Sequence, residues 1–235
     1  VTQTPVASPP GIAAHTASGT SRALDLDQGW AIGEESFRQI VERLRAAGAR
    51  QIVEFGSGIS SIRLALELPG ARVFSIESNR EWYETVLRMR AEHAVERNLT
   101  VVRRLLRWQK HAGAMFLSYA PGPLPQPIDA VLIDGPPTWT RRGREACLYQ
   151  AMPFLRVGGL VFLDDFARSR EKTIVRNWRW SYPGTFNLST IESGHRVCVL
   201  EKVRDGKRPR RAMRSLPDHL IEVLGVVFTH PLRRE

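Results

Sequence analysis

Apolar positions along this chain follow two periods, and their alternation lays out the elements. Short apolar runs at 51–55, 73–77, 99–103, 128–133 and 160–163 predict buried strands. Between them, apolar residues recur at helical spacing. Phe37, Ile40, Val41 and Leu44 predict a helix from Glu34 that Gly48 closes. Ile62, Leu64, Ala65, Leu66 and Leu68 predict a second, and Trp82, Val86 and Met89 a third over 80–94. Further helices are predicted over 145–155 and 168–180, with a turn at Gly158-Gly159 leading into the fifth strand. Residues 186–191 and 197–200, joined through Gly194, predict a hairpin. Strands alternating with helices predict an α/β fold with a mostly parallel sheet and helices on both faces. The Pro-rich stretch 121–127 predicts a stiff loop into the fourth strand.

The first strand ends in Glu54-Phe55-Gly56-Ser57-Gly58-Ile59-Ser60-Ser61. Gly56 and Gly58 let the main chain turn tightly and bring its N–H groups against a ligand. The second strand ends in Glu77, the offset at which a dinucleotide-type fold places a ribose-binding carboxylate. A third glycine is missing, since Ser61 stands in its place, so the turn is not an NAD fingerprint. The acid-x-Gly-x-Gly form, with Ser75-Ile76-Glu77-Ser78-Asn79-Arg80-Glu81-Trp82-Tyr83 after it, resembles class I S-adenosylmethionine-dependent methyltransferases. Within them it is similar to a bacterial group with a Glu-Phe-Gly-Ser-Gly turn, and more distantly to catechol O-methyltransferase-type enzymes. The resemblance spans roughly residues 30–202 and implies a Rossmann-like sheet that ends in a C-terminal antiparallel hairpin.

Composition adds less. Lys and Arg outnumber Asp and Glu by 34 to 24, a formal charge of +10 that favours anionic partners, nucleic acid among them. No apolar run approaches the roughly 20 residues that span a bilayer, and residues 1–20 lack a signal-peptide core. Cys147 and Cys198 have no metal-ligand spacing and predict buried thiols, which suits a reducing, cytoplasmic setting. The expected organisation is a flexible arm over 1–21, a methyltransferase domain over 22–203, and a basic connector with a C-terminal helix over 204–235. Trp30 is expected in the core or as a lid residue.

The site follows from the rule that open parallel sheets bind ligands beyond their carboxyl strand ends. Glu54, Glu77, Asp134, Asp164 and Asp165 stand at such ends. The resemblance implies S-adenosylmethionine as cofactor. It would be held by the backbone of Gly56, Ser57, Gly58 and Ser60, with Glu54 near its ammonium group and Glu77 on its ribose. Ser78 and Trp108 are candidates at the adenine, and Asp134 lies nearest the methyl. Methyl transfer to a hydroxyl needs a base or a metal. Asp134, Asp164 and Asp165 are therefore candidates either as the base or, by the catechol O-methyltransferase pattern, as ligands of Mg2+. Arg141, Arg142 and Arg168, with Arg144 and Arg170 nearby, are expected to line an acceptor side suited to an anion. The expected activity is O-methylation of a small molecule or glycan. An RNA methyltransferase using the basic surface, with Trp178-Arg179-Trp180, and a non-catalytic cofactor-binding protein are the competing readings.

Overall fold

The computed structural model describes residues 32–206, together with 209, 210 and 224. The expected N-terminal arm and Trp30 lie outside the described residues. So does the helix expected over 216–228, apart from Leu224, which is helical and exposed.

Helix α1 (Glu34–Ala46) buries Phe37, Ile40, Val41 and Leu44 along one stripe. It ends at Gly48, whose φ of +61° suits a left-handed helix stop. Then come β1 (Gln51–Phe55), α2 (Ile59–Glu67), β2 (Arg72–Glu77), α3 (Arg80–Glu92) and β3 (Leu99–Arg103). A two-stranded ribbon follows, β4 (Leu106–His111) and β5 (Ala114–Tyr119). The chain returns through β6 (Ile128–Ile133), α4 (Gly143–Ala151), β7 (Leu155–Leu163), α5 (Ser169–Ser181), β8 (Phe186–Ile191) and β9 (Val197–Lys202).

The main sheet has seven strands in the order β3-β2-β1-β6-β7-β9-β8. The first five strands of that row pair in parallel, while β9 runs antiparallel to both β7 and β8. Alternation on the strands feeds two cores. Val53, Phe55, Val131 and Ile133 pack with α4, α5 and the ribbon. Ile52, Ala130 and Leu132 pack with α1, α2 and α3. Central strands buried on both faces explain the near-continuous apolar runs. Cys147 and Cys198 are buried free thiols, as expected.

Three sequence expectations change. Gly158-Gly159 does not open the fifth strand but lies inside β7, where pairing with β6 slips between Ile128 and Ala130. Gly158 takes φ +78° at this irregularity. Helix α4 starts at Gly143 rather than Glu145, and Thr138–Thr140 forms a 3-10 turn before it. The ribbon was not foreseen: its two-residue turn, Ala112-Gly113, has φ +48° and +80°. Such turns favour Asn, Asp or Gly at both positions, so alanine hides the signal.

Candidate active site

The switch in strand order falls between β1 and β6, and the acidic strand ends gather there. Gly56, at φ +101°, packs directly on Gly135, just beyond β6; a Cβ on Gly56 would lie 2.6 Å from the Gly135 nitrogen. The amides of Asp134 and Gly135 both donate to the Phe55 carbonyl, at 3.0 and 2.7 Å. A Cβ on Gly58 would make only ordinary contacts, with Ser60 Oγ at 3.9 Å and the Trp82 ring at 4.0 Å. The Trp82 indole N–H donates to the Ser57 carbonyl at 2.6 Å, so helix α3 braces the glycine turn from outside.

Glu54 is fully buried and does not face the turn's open side alone. Ser60 Oγ donates to its Oε1 at 2.6 Å, and Ser75 Oγ to Oε2 at 2.7 Å. Ser61 donates to the same Oε2, and its hydroxyl oxygen accepts the Gly58 amide at 3.0 Å. Ser75 spends its one proton on Glu54, so Ser57, 2.7 Å away, donates to Ser75. The carboxyl thus fixes the glycine turn through hydroxyls, as a positioning group. Burial pushes Glu54 up to about 7, against the lowering effect of the three hydroxyls.

Glu77 is held differently. Its Oε1 accepts from the amides of Ser78 and Asn79 at 2.6 and 2.7 Å. Burial raises its pKa, and these amides and the Ser57 amide oppose the rise. The Ser78 amide is therefore committed to Glu77. Adjacent β1 and β2, paired Phe55 to Ile76, bring the glycine turn and Glu77 side by side.

At the other side of the switch, Asp134, Asp164 and Asp165 each bring one oxygen to within 4.8 Å of the others. A guanidinium lies among them. Arg144, 5% exposed, donates from Nη2 to Asp134 at 3.2 Å and from Nη1 to Asp165 Oδ2 at 3.0 Å. Arg168 donates to the same Asp165 oxygen at 2.5 Å, and His195 Nδ1 is 3.5 Å from the other. Glu171 approaches Arg144 at 3.9 Å, and its Oε2 is buried without a hydrogen-bond partner. Burial and the neighbouring Asp134 push Asp164 up to about 7. Burial raises Asp134 as well, with Arg144 opposing.

Arg144 reaches this position because Gly143 opens α4 hard against the ribbon. A Cβ on Gly143 would stand 2.4 Å from the Leu117 carbonyl oxygen. The expected solvent-facing arginines therefore divide. Arg142 is a correction: it is 4% exposed and ion-paired with fully buried Glu145, inside the molecule rather than along the crevice. Arg144 is likewise buried. Arg141 is half-buried at φ +59°, and Arg168 is half-exposed. Trp108 stands 41% exposed on the ribbon, on the strand face it shares with Leu106 and Tyr119. Trp178 is in the core, donating to the Glu145 carbonyl at 2.9 Å, so the expected Trp178-Arg179-Trp180 platform does not form as a surface cluster. The serine set around Glu54 escaped the sequence reading. Its one signal was the concentration of serine at 57, 60, 61 and 75 around a buried acid.

No family model matches the chain, and no curated protein matches it. Solved structures do. An O-methyltransferase from Bacillus cereus in complex with S-adenosylhomocysteine is 16% identical, with a TM-score of 0.57 over 74% of this chain and 83% of that one. The O-methyltransferase TomG from Streptomyces achromogenes, involved in tomaymycin synthesis and solved with S-adenosylmethionine, is 19% identical, with a TM-score of 0.56 over 74% and 82%. A methyltransferase from Geobacter sulfurreducens is 15% identical, with a TM-score of 0.53 over 74% and 81%. The fold is that of the class I methyltransferases, as the strand order and the sequence resemblance imply.

Proposed function

We propose that this chain is an S-adenosylmethionine-dependent O-methyltransferase acting on a small-molecule or glycan hydroxyl. The observation that carries the reading is the pair of adjacent strand ends. A glycine turn lies beside a carboxylate whose Oε1 two backbone amides hold in place. The cofactor fits these residues. Backbone amides of Ile59 and Ser60, at the start of α2, would meet its methionine part, the Gly58 amide being taken by Ser61. Glu77 would accept from its ribose hydroxyls, and Trp108 is a candidate to stack on adenine. When bound, the cofactor supplies an electrophilic methyl group on a sulfonium.

The chain's own task is then alignment and proton removal. Asp134 suits the second task. Its side chain is 24% exposed, the most accessible of the three clustered acids. It would take the acceptor's proton as the hydroxyl oxygen attacks, while Asp164 and Arg144 hold its orientation. Half-exposed Arg168, with Arg141, would meet an anionic acceptor. The three acids do not suit a magnesium ion as they stand. Both Asp165 oxygens already face cationic or imidazole groups, and the Arg144 guanidinium that binds Asp134 and Asp165 would repel a divalent ion placed among them. The buried position of Trp178 counts against the RNA reading. Among the described residues no helix is long and apolar enough to cross a membrane.

Calorimetric titration with S-adenosylhomocysteine tests the reading. Glu77→Ala should weaken binding by ~1.5–3 kcal/mol, the worth of hydrogen bonds to a charged group. Equal affinity in wild type and variant would sink it.

A further inference from the structure

The acid cluster already contains a cation. We infer that the Arg144 guanidinium is the resident counter-ion of Asp134 and Asp165, and that the cluster takes no divalent metal. The cation assignment stands on geometry alone; only the consequence for Asp134 as a base rests on the methyl-transfer reading.

Three observations carry it. First, Arg144 is tied to both strand ends at once, to Asp134 after β6 and to Asp165 after β7. Longer contacts run from its Nε to the Pro136 carbonyl, at 3.4 Å, and from Nη1 to the Asp164 carbonyl, at 3.5 Å. These directions use the planar fork of a guanidinium, which a spherical ion cannot imitate. Second, the residue is built in. The near contact of Gly143 with the ribbon fixes the first turn of α4, and Arg144 is the next residue. Third, the chemistry opposes a shared site. Magnesium demands short, near-octahedral oxygen ligation, whereas Asp165 Oδ2 is shared between two guanidiniums. Arginine stays charged at any working pH, so it cannot step aside by losing a proton. The arginine therefore acts as a positioning residue that holds the Asp134 carboxylate toward the crevice.

The probe is Mn2+, followed by electron paramagnetic resonance on the full chain. Wild type should show no site tighter than the millimolar range. Arg144→Met removes the counter-ion and should create Mn2+ binding at least ~tenfold tighter than in wild type, because the uncompensated buried acids then seek a cation. Adding Asp134→Asn to that variant should abolish the gain. Arg144→Lys keeps a positive charge and should keep the metal out; if Arg144→Met does not fold, this variant and wild type decide. Mn2+ binding by wild type that Asp134→Asn removes would overturn the inference. S-adenosylhomocysteine titration of the same samples separates the two readings. Failure to bind it, with Mn2+ still excluded, defeats the proposed function and leaves the cation assignment in place.

Discussion

Two buried acid groups stand a strand apart in this molecule and are satisfied by opposite means. Glu54 at β1 is surrounded by neutral hydroxyls from Ser60, Ser61 and Ser75. The acids at β6 and β7 are surrounded by guanidiniums from Arg144 and Arg168. Hydroxyls donate without charge, so burial dominates and Glu54 rises to about 7. Guanidiniums add charge and oppose burial at Asp134 without cancelling it. Asp164, with no side-chain bond to either arginine among the contacts described, also rises to about 7. An acid at a strand end is thus not a function in itself. Its partners decide whether it braces a loop or stays open to solvent.

The largest test of this contrast is Asp134→Asn. If Asp134 is the acceptor's base, turnover should fall by about 10²–10⁴, the usual contribution of general base catalysis. S-adenosylhomocysteine affinity should hold. Full turnover in the variant would move the chemistry elsewhere. Next in size is the pH behaviour of Glu54. A carboxyl whose folded value, about 7, exceeds its ordinary 4.5 binds its proton more tightly in the folded state. Stability from this group is whole below pH 4.5 and drains as pH climbs toward 7, by at most roughly 3 kcal/mol. Thermal unfolding of wild type between pH 5 and 8 should lose ground to Glu54→Gln, whose amide cannot ionise. Parallel curves would mean the hydroxyls keep Glu54 ionised throughout. The smallest effect belongs to Arg168→Ala. This exposed-side pair is worth under about 1 kcal/mol of stability, so unfolding should barely move. KM should rise a few-fold for anionic acceptors and stay level for neutral ones; equal KM shifts for both would remove Arg168 from the acceptor side.

Much of this arrangement was legible in the chain. Buried parallel strands write themselves as apolar runs, and strand ends place Glu54, Glu77, Asp134 and Asp164-Asp165 in one crevice by topology alone. What escaped depended on contacts between distant segments. The ribbon escaped because Ala112 adopts a conformation that its residue type does not advertise, and because β4 carries Arg107, Gln109 and Lys110 among its few apolar residues. Arg142 and Arg144 read as a solvent-facing basic run. Packing of Gly143 on Leu117 turns both inward instead, to Glu145 on one side and the aspartates on the other. No periodicity encodes such a contact, since its partner lies 26 positions away.

The abutting glycines at positions 56 and 135 have a mechanical meaning. Methyl donor and methyl acceptor would rest on neighbouring tips that touch main chain to main chain, with no rotatable side chain between them. The gap a carbon must cross is then set by peptide geometry, stiff on the timescale of side-chain motion. A methyl group added at Gly56 would press on the Gly135 nitrogen at 2.6 Å, and one at Gly135 would meet the Tyr119 hydroxyl at 2.1 Å and the Gly56 Cα at 2.9 Å, so neither tip has room for one.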